Sequence, residues 1–359
     1  MIMSLTPDAR PAVTRKDVAR LAGVSTAVVS YVINDGPRRV SPATALKVRD
    51  AVAVLGYRPN AAARALKLGS SELLGMVVPV ITNPFFASLT HAVERAAARR
   101  GYALLVATSG GSVKKEREQI NHLASRRVDG VFLSSVLFEP DLSDLEELRI
   151  PSVLLNHSVE ASGFNSVGVQ LAEGSRVAVD HLRGHGHRDI ALVMGNNAGR
   201  ELDGREVGWR WALAGVGLPE GPVFRVDFDR EGGYLAGQRF LTLKQPPHAV
   251  YISSDLQAVG FLRAMHEAGV RVPEEVAIVS FDGSLEAEYA WPRLTTVAQP
   301  IVAMAEAAVT ALIDGGSTGQ VRNQTFPAEL VIGRSCGCEP TYSGSALASR
   351  SGPTVPSVP

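Results

Sequence analysis

Three charged residues stand just behind short apolar runs, the positions where an alternating strand and helix chain gathers binding chemistry: Arg205 in GREVGW, Asp255 in SSDLQAVG and Asp282 in SFDGS. A guanidinium is a planar fork that grips a carboxylate or hydroxyls, with a helix-surface salt bridge as the other reading of Arg205. A carboxylate there accepts ligand hydroxyl bonds or caps the following helix. We assign Asp282 to a ligand and divide Asp255 between the two roles. The stretch VITNPFF adds Asn83, Phe85 and Phe86, whose rings suit stacking on a sugar or base-like ring, with packing at a lobe interface as the other reading. Asn156 closes the run PSVLLN and completes the candidate set.

Other chemistry is thinner. HLRGHGHRD holds His181, His185 and His187, but its glycines read as a helix end leading into a strand at Ile190. Cys336 and Cys338 form a C-x-C pair with no His or Cys near them in sequence, too few for a closed zinc site or a disulfide framework. No metal, cofactor or catalytic set is therefore assigned. Neither G-x-x-x-x-G-K-[ST] nor a strand followed by G-x-G-x-x-G is present, which leaves the alternative of an α/β sugar- or nucleotide-dependent enzyme with a basic appendage without its phosphate cradle.

The formal net charge of zero conceals a division. Up to Ser70 there are eleven Lys and Arg against four Asp and no Glu, a balance of +7; the remainder carries −7. A basic module on an acidic body suits duplex DNA, whose phosphates reward local positive charge. No apolar run reaches the roughly 18 residues of a membrane span, and the first residues lack a secretory apolar core, so a cytoplasmic, nucleoid-associated protein with no membrane partner is expected.

The basic module reads as short helices. Thr14-Arg15-Lys16-Asp17 is a capping-box start, Val18, Leu21 and Ala22 make one apolar face, and Gly23 turns the chain. Ser25 caps a second helix with Val28, Val29, Val32 and Ile33 inward and Thr26, Ala27, Ser30, Tyr31 and Asn34 outward. Ser41-Pro42 opens a third that ends at Gly56. Helix, tight turn and helix is the arrangement of a helix-turn-helix DNA reader, and the short side chains allow close approach in a major groove about 12 Å wide. In YRPNAAARALK, Asn60 caps a segment too short for an isolated helix; we expect it to fold on DNA, with Leu66 as a minor-groove wedge, Arg64 and Lys67 at phosphates and Ala63 beside them, a flexible linker with a helical bias being the other reading.

VTRKDVARLAGVSTAVVSYVIN, VSPATALKVRDAVAVLGYRPNAAARALK and FDG...PRLTTV together resemble the lactose-repressor (LacI/GalR) family of bacterial transcription regulators, from about Val13 to about Cys338. The resemblance implies a homodimer on a palindromic operator in double-stranded DNA, paired hinge helices placing Leu66 in the central minor groove, and a periplasmic-binding-protein-like core sensing a small molecule, in first place a sugar or related metabolite. It puts Thr26 and Ala27 on base-reading positions with Val28 beside them, and favours a ligand role for Arg205. Three features depart from it. Tyr31 stands where many members have Arg, and Asn156-His157 and Val169-Gln170 replace acidic or Asp-Asn pairs suited to sugar hydroxyls.

From Leu73, LLGMVVPV, ALLVAT, GVFLSS, SVLLN, IALVMG, AVYISS and VAIVSF alternate with helical stretches over Phe85–Arg100, Lys114–Arg127, Ala172–Leu182 and Gln257–Gly269. Uninterrupted β-branched runs between helices mean parallel strands covered on both faces, and two consecutive sets predict two lobes with ligand at the carboxyl ends of the strands. The expected fold is α/β, an all-α helix-turn-helix headpiece (1–58), a hinge helix and linker (59–71), a two-lobed effector-binding and dimerisation core with parallel sheets (72–339) and a disordered tail (340–359). Without a leucine-heptad segment, a dimer is expected over a tetramer. The function is a sequence-specific DNA-binding repressor under allosteric effector control, not an enzyme.

Overall fold

A computed structural model describes residues 13–33, 38–58, 65, 69–135, 141–156, 163–196, 202–315 and 323–339. The chain divides into two compact units, Met1–Ser71 and Glu72–Pro359. The expected roles of Asn34, Asn60, Ala63, Arg64, Leu66 and Lys67, and the tail, lie outside the described residues.

The first unit contains α1 (Arg15–Ala22), α2 (Thr26–Ile33) and α3 (Pro42–Leu55). Thr14 starts α1, its backbone N–H and hydroxyl both donating to Asp17 Oδ2 at 2.9 and 2.6 Å. Gly23 and Gly56 close α1 and α3 in the left-handed region, at φ 66° and 62°, where a Cβ would be strained. Ser41 accepts from the Thr44 N–H, and Pro42 fills the first turn where no N–H is needed. Val18, Ala19, Val29, Val48, Ala51 and Tyr57 form a small core. Two inward assignments change: Leu21 is exposed and Val28 is half-exposed, outside that core. Three short helices bury a narrow stripe, so only part of each apolar face is covered.

The second unit is built on two six-stranded sheets. Its strands are β1 (Leu73–Val78), β2 (Ala103–Thr108), β3 (Gly130–Leu133), β4 (Ser152–Leu155), β5 (Asn165–Val169), β6 (Ile190–Gly195), β7 (Val223–Val226), β8 (Ala249–Ile252), β9 (Ala277–Asp282), β10 (Thr295–Ala298), β11 (Asn323–Phe326) and β12 (Glu329–Val331). One sheet runs β11-β5-β4-β3-β1-β2 and the other β12-β10-β9-β8-β6-β7. Among the described residues, all pairings are parallel except β10 with β12. Helices between strands are α4 (Pro84–Arg99), α5 (Val113–Ser125), α6 (Ser143–Leu148), α7 (Leu171–Gly184), α8 (Gly204–Ala214), α9 (Arg230–Leu241), α10 (Asp255–Glu267), α11 (Leu285–Tyr289) and α12 (Ile301–Asp314).

The lobes are not two consecutive sets of elements. After β10 the chain returns to the first sheet, where α12 packs against α4 and β11 pairs with β5, before β12 rejoins the second. Arg99 to Glu306 (3.0 Å) and Arg100 to Asp314 (2.6 Å) fasten α12 to α4. The chain thus passes between sheets at Gln170, at Gln299–Pro300 and at Pro327–Ala328. Pairing over so long a loop leaves no local periodic signal. Among the described residues, no helix is long and apolar enough to cross a membrane.

Candidate functional site

In the headpiece, Ser25 accepts from the Val28 N–H at 3.3 Å and so fixes the start of α2. Ser25, Thr26 and Ala27 are exposed on its first turn; Val28, Ser30 and Tyr31 are half-buried, and Thr14 is exposed at the head of α1. The N-terminal turn of a helix presents unpaired N–H groups and short side chains, a surface able to approach a phosphate backbone and base edges.

In the larger unit, predicted residues stand at the carboxyl ends of parallel strands. Arg205, on the first turn of α8, is clamped by Asp203: Nε donates to Oδ1 and Nη2 to Oδ2, each at 2.9 Å, and the Arg205 N–H donates to Oδ1 at 2.8 Å. Nη1 donates to the Ser253 carbonyl at 2.9 Å behind β8. The guanidinium carbon lies 4.9 Å from the Phe228 ring centre, a cation–π contact. Burial disfavours the Arg205 charge, yet Asp203 outweighs it and holds the arginine protonated. Burial also opposes the Asp203 carboxylate, and Arg205 overrides it, keeping Asp203 below the usual range.

Asp282 ends β9 at φ 117°, a backbone that L side chains rarely adopt. Its Oδ1 accepts from Gln299 Nε2 at 2.9 Å, and it is nearly inaccessible. Burial first, then repulsion from Asp255, push its pKa up to about 8 against the pull of Arg205. Gln299 Oε1 is buried without a hydrogen-bond partner among the described residues, beside that carboxyl. Asp255 is fully buried: Oδ1 accepts from Ser280 (2.6 Å) and Thr296 (2.7 Å), and Oδ2 from the Ser284 N–H (2.6 Å). Burial raises its pKa. These protein donors make Asp255 the fastener of β9, β10 and the loop after β9, a role outside its divided assignment; the helix that follows β8 is capped by Ser254, which accepts from the Gln257 N–H at 3.2 Å.

On the first sheet, Asn83 caps α4 by accepting from the Phe85 N–H at 3.0 Å. Phe85 and Phe86 are buried in the main core, their rings edge to face at 5.2 Å, so the packing role accounts for their position. Asn156 follows β4 at φ 60° and is half-buried. Sequence reasoning missed Asp203, Phe228 and Gln299. Asp203 was readable as the Asp two residues before the fork; Gln299 carried no local signal, because it comes from a different crossing.

A second cluster joins two groups that the sequence reading weighed apart and set aside. His181 and His185 at the end of α7 meet Cys336 and Cys338, with His181 Nε2 and Cys336 Sγ 3.2 Å apart and His185 Nε2 and Cys338 Sγ also 3.2 Å apart. The C-x-C pair therefore has histidine partners, some 155 residues away along the chain. His187 is not among them. Burial opposes the Cys336 thiolate, but hydrogen bonds with His181 and Thr295 outweigh it and bring the thiol down to about 7. Burial and then His181 lower His185, favouring its neutral ring.

Comparison with known proteins decides the family. Residues 14–60 match the model for bacterial regulatory proteins of the lacI family, and residues 179–336 match that for a periplasmic binding protein-like domain. The chain is 33% identical to the HTH-type transcriptional repressor PurR of Photobacterium profundum over 90% of this chain and 98% of that one. It belongs to the lacI family of bacterial regulatory proteins. Within that family, the fold is similar to that of a lac repressor dimer bound to operator and the anti-inducer ONPF, with a TM-score of 0.80 and 27% identity over 90% of this chain and 99% of that one. It is also similar to the transcriptional regulator CelR in complex with cellobiose, with a TM-score of 0.68 and 32% identity over 91% of this chain and 100% of that one. These lacI-family proteins are regulators, and the enzyme alternative falls away.

Proposed function

We propose that this lacI-family chain is a cytoplasmic, DNA-binding transcriptional repressor. Its dimer reads a palindromic operator through α2, and its operator affinity is set by a small molecule bound at the strand ends of the larger unit. The observation that carries the effector half is the Arg205–Asp282–Gln299 constellation. A guanidinium fixed by Asp203 and Ser253 retains two of its five N–H bonds uncommitted among the described residues. Asp282 and the partnerless Gln299 Oε1 face the same charge field. Hydroxyl or amide groups of a ligand satisfy such donors and acceptors. We take a sugar or related metabolite as the effector; the half-buried Phe228 face beside Arg205 supports a second reading, a flat heteroaromatic ring.

Gln299 supplies the coupling. It binds Asp282 and sits where the chain crosses from the second sheet to the first, so a ligand that competes for Asp282 acts directly on a crossing strand. A shift in lobe angle then alters the spacing of the two headpieces in the dimer. A coupling free energy of about 1 to 3 kcal/mol would change operator affinity roughly 5- to 150-fold. The exposed apolar group Leu285, Tyr289 and Trp291 on and after α11 supports self-association.

Selection from random duplexes, repeated with sugar and heteroaromatic metabolite pools, tests this reading. Enrichment of a palindrome at moderate salt, changed by one pool, is the expected result. Recovery of no preferred duplex under any condition would refute it.

A further inference from the structure

The ends of α7 and of the chain after β12 converge on four side chains of complementary chemistry: His181, His185, Cys336 and Cys338, whose ligating atoms all lie within 4.8 Å of one another. Their geometry departs from that of chance neighbours in three ways.

Three of the N to S separations lie close to those around a shared ion. Tetrahedral zinc with Zn–S near 2.3 Å and Zn–N near 2.0 Å sets N and S ligands roughly 3.6 Å apart. The N to S separations here are 3.2 Å for His181 with Cys336, 3.2 Å for His185 with Cys338 and 3.7 Å for His181 with Cys338. The rings of His181 and His185 stand edge to face at 4.8 Å, so two imidazoles one helical turn apart converge rather than splay. Each turns Nε2 toward a sulfur.

An outer layer is also present. Thr295 Oγ1 donates to Cys336 Sγ at 2.9 Å, orienting that sulfur as hydroxyl donors do around thiolate ligands. Ser335, next to Cys336, accepts from the Thr295 N–H at 2.9 Å and donates to the Ile278 carbonyl at 2.7 Å, which fixes the backbone of the C-x-C turn on the edge of β9 and β10. Cys336 is buried, whereas His185 is exposed and Cys338 half-exposed, leaving an open side through which an ion enters. Finally, the set is chemically selective: two sulfurs and two imidazoles gathered within 4.8 Å favour zinc over oxygen-seeking cations.

We propose that His181, His185, Cys336 and Cys338 form a structural zinc site that staples the segment after β12 to the end of α7. The site lies at the amino-terminal end of the second sheet, since Ser335 bonds at Ile278 near the start of β9, whereas Asp282 ends that strand. It is thus separate from the effector constellation. Its effect is mechanical: α7 follows the Gln170 crossing and the stapled segment follows the Pro327–Ala328 crossing, so one ion ties together two of the chain's passages between lobes.

The test uses full-length protein without a polyhistidine tag, purified under reductant and dialysed, with zinc measured by plasma mass spectrometry. About one zinc per chain is expected, falling below about a tenth in Cys338→Ser and His185→Gln, which change the open side of the site and leave the buried Cys336 in place. Far-ultraviolet circular dichroism checks that both variants fold. Added cobalt should give thiolate-to-metal charge-transfer bands in the wild type and not in the variants. A strong chelator should lower the wild-type melting midpoint and leave the variants unmoved. Reduced, folded wild type that retains no zinc and gives no cobalt charge-transfer bands overturns the site, as does zinc retained equally in both variants. None of these readouts depends on operator or effector, so failure here leaves the regulatory reading standing.

Discussion

Arg205 and Asp203 meet as two parallel forks, two N–H···O bonds of 2.9 Å each, at the first turn of α8. Asp203 also caps that helix, so one carboxylate both starts the element and aims the guanidinium it carries. The guanidinium proposed to grip the effector is thereby locked before any ligand arrives, which lowers the ordering cost of binding.

Arg205→Lys should separate charge from geometry. An ammonium keeps the positive charge and loses the planar fork. We expect effector affinity to fall at least roughly 10-fold, equivalent to about 1.4 kcal/mol, with effector-free operator affinity unchanged. Calorimetric titration of effector and duplex binding in the same preparation checks it. Arg205→Ala, by contrast, leaves the half-buried Asp203 without its partner and should cost stability by about 1 to 3 kcal/mol; chemical denaturation reads that difference.

Asp282 predicts a pH dependence. Its folded pKa, about 8, lies above the ordinary value of 3.8, so between those limits the native state holds a proton that the unfolded chain has released. Stability therefore falls as pH rises through that window. Asp282→Asn keeps an acceptor for Gln299, tolerates the positive φ and does not titrate. Melting midpoints at pH 5, 6, 7 and 8 should diverge in favour of the variant as pH rises; a constant or narrowing gap would remove the argument.

The first turn of α2 predicts a change in specificity. Thr26→Val removes a hydroxyl from an exposed position at the start of the helix. Loss of a base-edge hydrogen bond should cost about 1 to 3 kcal/mol on the selected duplex and relax preference at one base position, while the salt dependence of binding stays as it was. Equal weakening on all duplexes would mean that Thr26 does not read bases.

Gly208 predicts a packing defect. A Cβ there would run into the Ala172 carbonyl oxygen and Ser175 where α7 and α8 cross. Gly208→Ala should destabilise by about 1 to 3 kcal/mol through overpacking. Urea denaturation of the full chain measures it.

Leu66→Ala should weaken binding to the selected palindrome far more than to random duplex, because a minor-groove wedge acts only where the duplex is kinked. Equal losses on both would contradict the wedge.

The particular elements explain what could be read in advance. Helices α1 to α3 were legible because caps, a Gly turn and a 3.6-residue period are written within a few residues. Strands β1, β3, β4, β6, β8 and β9 were legible because a strand covered on both faces is a nearly continuous apolar run; β2 carries the same run at a sheet edge, where its residues stay partly exposed. Strand β7, with Arg225 among its four residues, and β11, NQTF, carry no such run and depend on neighbours supplied from elsewhere.

The sequence by itself determined the charge division, the helix-turn-helix, the α/β class of the body and the strand-end candidates Arg205, Asp255 and Asp282, since each follows from local composition and period. Only the tertiary structure decided that Asp255 fastens strands, that Phe85 and Phe86 pack in the core, that Gln299 meets Asp282 across 17 residues and that His181 and His185 meet Cys336 and Cys338 across some 150. The reason is physical: hydrogen-bond and ligand geometry depend on distance in space, and the chain's passages between two sheets bring together residues that no sequence window contains.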